Sequence, residues 1–191
     1  MSDFDYIILG AGASGLMLAY RMSQDAFFDD KSIVIIDQTK DKGNDRTWCF
    51  WENGVGEWDN LLAKTWSSIF FGSNSFTKTI SIAPFNYKMI RSEALYKSLW
   101  EHIDAKSNFS FIETKVNSFS ELKTGVEVIT ENGNYFGAKI FNSLLNPEVY
   151  KSQNKYPIIH QHFVGWFVKT KGDMFDDSTA TFMDFTVPQN G

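Results

Sequence analysis

Residues 6–9, Tyr-Ile-Ile-Leu, make an apolar run that stops at Gly10, and the pattern predicts a short buried strand there. After the segment Gly-Ala-Gly-Ala-Ser-Gly, residues 10–15, the period changes. Leu16, Ala19, Tyr20 and later apolar positions fall on one face of a helix that runs to about Gln24. A β-branched run from Ser32 then ends at Asp37, which predicts a second strand.

A polar loop follows, and after it the aromatic stretch NDRTWCFWENGVGEW, residues 44–58. The segment KTISIAPFNYKMI reads as two short strands around Pro84. In RSEALYKSLWEHI, Ser92 can cap a helix, with Leu95, Tyr96, Leu99, Trp100 and Ile103 at helical spacing. FSFIETKVNSF predicts a third core strand and the start of a meander, and GVEVITENGNYFGAKIFNSLL a hairpin near Asn132-Gly133 with a return strand to Leu145. Two further single strands are expected within IIHQHFVGWFVKT and STATFMDFTVPQ. The polar stretch 146–157 is the candidate crossing between an expected cofactor module, residues 1–150, and an expected β-rich module, residues 151–191.

Three readings compete for the opening segment. An export signal needs a basic n-region, whereas the residues ahead of the run include Asp3 and Asp5 and no Lys or Arg. A spanning helix needs about 20 apolar residues, and Arg21, Gln24 and Asp25 follow directly on Tyr20. A dinucleotide site needs strand, G-x-G-x-x-G, helix, and a second strand ending in an acid about 20 residues on. Each part is present, since Asp37 stands 22 positions beyond Gly15. Gly10 suits the tight turn, Gly12 the approach of a pyrophosphate, and Gly15 close packing of helix on strand, with Ala13 and Ser14 completing the phosphate loop. Asp37 is placed to accept hydrogen bonds from an adenosine ribose.

Composition narrows the partners. The 191 residues carry a net charge of −5, which provides no general basic field for nucleic acid. The single cysteine, Cys49, excludes an intrachain disulfide and fits a reducing cytoplasm. His160 and His162 share a strand face without a third ligand nearby, so no metal site is expected.

The aromatic insertion separates cofactor classes. Trp48, Phe50, Trp51 and Trp58 cluster around Arg46, with Trp66, Phe70 and Phe71 close behind. A simple dehydrogenase would continue its first nucleotide-binding half at this position. The interruption suggests a flavoprotein, although a compact aromatic mini-core would also account for it.

In order, DYIILGAGASGLMLAYRM, DRTWCFW, YKMIRSEALY, QHFVGWFVKT and FMDFTVPQ span nearly the whole chain. The set resembles the bacterial lycopene cyclase family of carotenoid biosynthesis. The resemblance implies an α/β, Rossmann-type FAD-binding flavoprotein fold with inserted β-rich substrate segments, of which this chain is the N-terminal portion. It implies FAD as cofactor, NAD(P)H as reductant, a lycopene-type carotenoid as substrate, and peripheral attachment to a membrane. The implied reaction is redox-neutral: protonation of a polyene end, ring closure through a carbocation, and proton loss to give a β-ionone ring.

That chemistry needs an acid, a dry cavity and negative or π density. Trp48, Phe50, Trp51 and Trp166 are the pocket candidates, and core packing is the competing role for each. Asp184, between Met183 and Phe185, is expected either at an exposed edge or in apolar surroundings that raise its pKa. Arg91, and with it Arg46, is expected near the cofactor, with a surface salt bridge as the alternative. Two other functions share the opening motif, a flavin monooxygenase or halogenase and a non-catalytic carotenoid- or nucleotide-binding protein.

Overall fold

The structure, a computed structural model, describes residues 3–145, 151–152, 155–159 and 164–188. In chain order it contains β1 (Phe4–Leu9), α1 (Ala13–Gln24), β2 (Ile33–Asp37), β3 (Thr47–Asn53), β4 (Leu62–Trp66), β5 (Ser68–Ser73) and β6 (Phe76–Ser81). There follow β7 (Phe85–Arg91), α2 (Ser92–Asp104), β8 (Phe109–Glu113), β9 (Val116–Leu122), β10 (Gly125–Thr130), β11 (Gly133–Asn142) and β12 (Ala180–Asp184). Two compact units result, residues 1–45 with 93–158 and residues 46–92 with 159–191.

The first unit is built on a six-stranded sheet of order β8-β2-β1-β11-β10-β9. Strands β8, β2, β1 and β11 run parallel, while β10 and β9 continue from β11 as an antiparallel meander. Ile7, Leu9, Val34 and Ile36 point to one face and Ile8, Ile33 and Ile35 to the other, and all are buried. Burial on both faces is why these strands read as unbroken β-branched runs rather than alternations. Strand β11 serves two partners, with Gly137 opposite Phe4 of β1 and Val126 of β10. Its missing side chain matters, because a Cβ there would lie 2.7 Å from the Ile7 side chain.

Helix α1 buries Leu16, Ala19 and Tyr20, as the spacing predicts. Helix α2 buries Leu95, Tyr96, Leu99, Trp100 and Ile103, and its His102 ring meets Tyr20 edge-on at 5.2 Å. Ser92 opens α2, and its hydroxyl accepts a hydrogen bond from the Arg46 N–H at 3.0 Å.

The second unit holds two three-stranded sheets, β3-β7-β4 and β12-β5-β6. The aromatic stretch after Arg46 is a strand, paired antiparallel with β7 from Thr47↔Arg91 to Asn53↔Phe85. Strand β12 lies parallel to β5, which ties the C-terminal segment to the insertion. The division therefore differs from a boundary at 150, because residues 46–92 group with 159–191. The strand expected in 158–170 is absent from its described part: residues 164–170 have no regular structure, and no ladder partner faces them among the described residues. His160 and His162 lie outside the described residues.

Leu99 is fully buried in α2. Replacing it with alanine should destabilise the protein by about 2–5 kcal/mol in urea denaturation. A loss below about 1 kcal/mol would show that α2 is not packed as described.

Candidate functional site

The carboxyl ends of β1, β2 and β11 meet at one rim of the parallel sheet, where chain order reverses and open α/β sheets bind ligands. Gly10 leaves β1 with φ +95°, in the left-handed region, and its N–H donates to the Ile36 carbonyl at 2.9 Å. The Gly10 carbonyl then fills the space that a Gly15 side chain would need. Gly12 is the N-cap of α1, which has no side-chain cap hydrogen bond. A Cβ on Gly12 would meet nothing within 4 Å. The turn thus presents an uncapped helix N-terminus, with Ala13 and Ser14 in its first turn, across an open side of backbone. That geometry fits a pyrophosphate.

Asp37 joins this turn to the next strand. Its Oδ2 accepts the Ala11 N–H at 2.6 Å, and its Oδ1 accepts Lys42 Nζ at 2.9 Å and the Thr39 N–H at 3.3 Å. Burial is the largest influence on Asp37 and pushes its carboxyl up. The Ala11 bond, then the bond and charge of Lys42, outweigh it and hold the carboxyl below the ordinary value. A carboxylate has about four acceptor sites, so Oδ2 retains room for a ribose hydroxyl. A cleft of about 480 Å³ opens beside it, lined by Gln38, Val116, Asn117, Leu144 and Leu145. A second of about 230 Å³ is lined by Ser14, Gly15, Asn142 and Ser143. Ser143 and Lys42 carry no sequence signal of this role: Ser143 sits 133 positions from Gly10 and belongs to no local motif.

In the second unit, strand alternation sorts the aromatic candidates. Trp51 packs on Tyr87 at 4.7 Å between ring centroids, Tyr87 on Trp66 at 5.9 Å, and Phe182 of β12 stands 5.5 Å from Trp51. Burial first, then a hydrogen bond with Cys49, pushes the Tyr87 phenol up to about 12, so it stays neutral. Trp48 and Phe50 lie on the opposite face of β3, the face of Glu52 and the buried Lys88. Lys88 Nζ donates to Asp59 at 2.6 Å, and to Glu52 and the Gly54 carbonyl at 2.8 Å each. The single pocket expected from Trp48, Phe50, Trp51 and Trp166 is therefore divided. Trp48 and Trp51 are three residues apart and so face opposite ways, and Trp166 is 84% exposed in an irregular segment.

Of the two settings expected for Asp184, the one with a raised pKa is contradicted. Its Oδ1 accepts the Thr186 hydroxyl at 2.6 Å and the Thr186 N–H at 2.9 Å, which together hold its carboxyl below the ordinary value. It is ionised near neutrality, not protonated, and its Oδ1 stands 3.2 Å from where a Gly72 Cβ would be. Arg46 and Arg91 lie at one end of the β3/β7 ladder in the second unit, both exposed. Among the described residues no cluster of three or more His, Cys, Asp or Glu could hold a metal, and no helix is long and apolar enough to cross a membrane.

The family model described as lycopene cyclase protein matches residues 5–191. The chain belongs to the lycopene cyclase family. None of the curated proteins matches it significantly in sequence. Among solved structures, PqsL of Pseudomonas aeruginosa in complex with 2-aminobenzoylacetate aligns with a TM-score of 0.55 at 14% identity, covering 72% of this chain and 41% of that one. The halogenase PltM, in complex with phloroglucinol and FAD, aligns at 0.54 with 10% identity, covering 78% of this chain and 36% of that one. CtdE in complex with FAD aligns at 0.52 with 12% identity, covering 73% and 37%. These likenesses establish a Rossmann-type α/β fold. This member of the lycopene cyclase family spans about two fifths of their length or less.

Two outcomes follow from the turn. Gly15→Ala should lower thermal stability even without ligand, because the added methyl meets backbone rather than a movable side chain; an unchanged melting temperature would contradict the close approach. Asp37, held below its ordinary value, contributes stability that is complete above about pH 4 and is lost as pH falls through its folded value. In acid titrations followed by circular dichroism, Asp37→Asn should therefore show a shallower loss of stability below pH 4 than the parent. Identical acid limbs would count against the Asp37 network.

Proposed function

We propose that this chain serves the redox-neutral cyclisation of lycopene end groups to β-ionone rings, with FAD on the glycine turn and NAD(P)H as reductant. The observation that carries the reading is the family match across residues 5–191, joined to a turn whose geometry accepts a dinucleotide. The FAD named with PltM and CtdE, which share the fold, supports the same cofactor here. Bound FAD, in reduced form, supplies the electron-rich ring that the family requires.

The chain's own residues have four tasks. Gly12, Ala13 and Ser14 offer backbone N–H groups to the pyrophosphate, and Asp37 offers an acceptor to the ribose. Trp51, Tyr87, Trp66 and Phe182 form a continuous aromatic face suited to an apolar polyene. Each cation–π contact on such a face is worth about 0.5–2 kcal/mol to a carbocation, depending on desolvation. Asp184, ionised, adds negative charge at the edge of β12 and stabilises the cation rather than donating the first proton. The exposed run Val164, Trp166, Phe167 and Val168 supports contact with a lipid surface, where the substrate dissolves.

The test is conversion of lycopene by the full-length, FAD-loaded protein under anaerobic reduction. The expected product is an isomer of the substrate, formed without oxygen uptake; a hydroxylated or halogenated product would replace the reading with that of a flavin monooxygenase or halogenase. Gly12→Val should abolish flavin retention while leaving the apoprotein folded, since nothing occupies the space its side chain would enter. Asp184→Asn should slow conversion at least tenfold with flavin content unchanged. Parental rates for this variant would remove Asp184 from the chemistry.

A further inference from the structure

Ser143, the first residue beyond β11, stands at the centre of the glycine turn although it is remote in sequence. Its hydroxyl donates to the Leu9 carbonyl at 2.7 Å, and its N–H reaches the same carbonyl at 2.9 Å. Both acceptor positions of that carbonyl are thereby filled. The same hydroxyl lies 3.3 Å from the Gly10 carbonyl, the group that approaches α1 at Gly15. Its oxygen stands 2.5 Å from where a Gly10 Cβ would be and 3.2 Å from where a Gly15 Cβ would be. One side-chain oxygen thus fills the space that a Gly10 side chain would need and borders that of Gly15, which the Gly10 carbonyl fills.

We infer that Ser143 is a positioning residue for dinucleotide binding: it braces the Leu9–Gly10 peptide from the β11 side, so that the turn is already in its binding shape before the ligand arrives. Gly10 is held on the other side by its bond to Ile36 of β2 at 2.9 Å. Those two neighbouring strands fix both flanks of a glycine-rich segment that has a left-handed residue. Without the hydroxyl, the turn samples other conformations, and binding must select the competent one. The inference rests on the proposed binding of FAD to this turn, but not on the cyclisation reaction.

The experiment measures FAD affinity of the apoprotein by quenching of flavin fluorescence, alongside thermal unfolding of the same apoprotein. Ser143→Ala should weaken FAD binding about 3- to 10-fold, the range of one hydrogen bond, with the apoprotein melting within about two degrees of the parent. Amide hydrogen exchange at Gly10 and Ala11 should be faster in Ser143→Ala, which a role confined to global packing would not produce. Ser143→Thr keeps the hydroxyl and should bind FAD within about threefold of the parent. A Kd for Ser143→Ala within twofold of the parent overturns the inference, as does an equal loss in both variants. Should the alanine variant fail to fold, the threonine variant decides alone: weakening beyond tenfold in a folded protein overturns it. If the parent binds no FAD, the cofactor reading fails and the role of Ser143 with it. Intact FAD binding without lycopene conversion would leave Ser143 standing and refute the cyclase reading alone.

Discussion

The first unit depends on one close approach, in which the Gly10 carbonyl occupies the place of a Gly15 side chain. That contact lets α1 start directly beneath the end of β1, so that its uncapped N-terminus points across the rim of the sheet. The Gly10 N–H to Ile36, the Ala11 N–H to Asp37 and the Ser143 hydroxyl to Leu9 then hold the turn from both neighbouring strands. A glycine-rich segment is thus held by hydrogen bonds from both neighbouring strands. Such pre-organisation is what an anion site needs, because backbone N–H groups gain most when they do not have to be ordered by the ligand.

In the second unit, the alternation of β3 divides the labour. One face carries Lys88 among Asp59, Glu52 and the Gly54 carbonyl, so a buried ammonium has a partner for each of its three donors. It fastens the loop 54–59 to the sheet, and Asp59 and Glu52 hold it above its ordinary value. The other face is apolar and aromatic, with Trp51, Tyr87, Trp66 and Phe182 in contact. A lysine clamp on one side and a π surface on the other require that Trp48 and Trp51 have different surroundings.

Short-range features of the fold were legible in the sequence. The strand at Tyr6–Leu9, the turn, α1, the strand ending at Asp37 and the α2 stripe all follow from local periodicity and glycine placement, and each is present. The strand nature of residues 47–53 was hidden by its aromatic density, which suits a mini-core as well as a ladder. Trp166 and its neighbours alternate as a strand should, yet residues 164–170 are irregular, and among the described residues no strand pairs with them. For Asp184 the sequence left two settings open, an exposed edge or apolar company that raises its pKa. Its acceptor sites are instead turned toward Thr186, two residues on, which reverses the direction of its shift. Ser143 and Lys42 could not be found at all from spacing, because their roles arise only when β11 and the loop after β2 are brought to the glycine turn.

The proposed reaction is an acid-type cyclisation in which the product is an isomer of the substrate and no oxygen is transferred. The most direct measurement is conversion of lycopene by the reduced, FAD-loaded full-length protein in deuterium oxide, with the product analysed by mass spectrometry. Proton addition at the polyene end followed by loss of a different proton predicts one deuterium retained per ring formed, with no reductant consumed in step with product. A product that gains oxygen or halogen, or that consumes one NAD(P)H per turnover, would contradict the account.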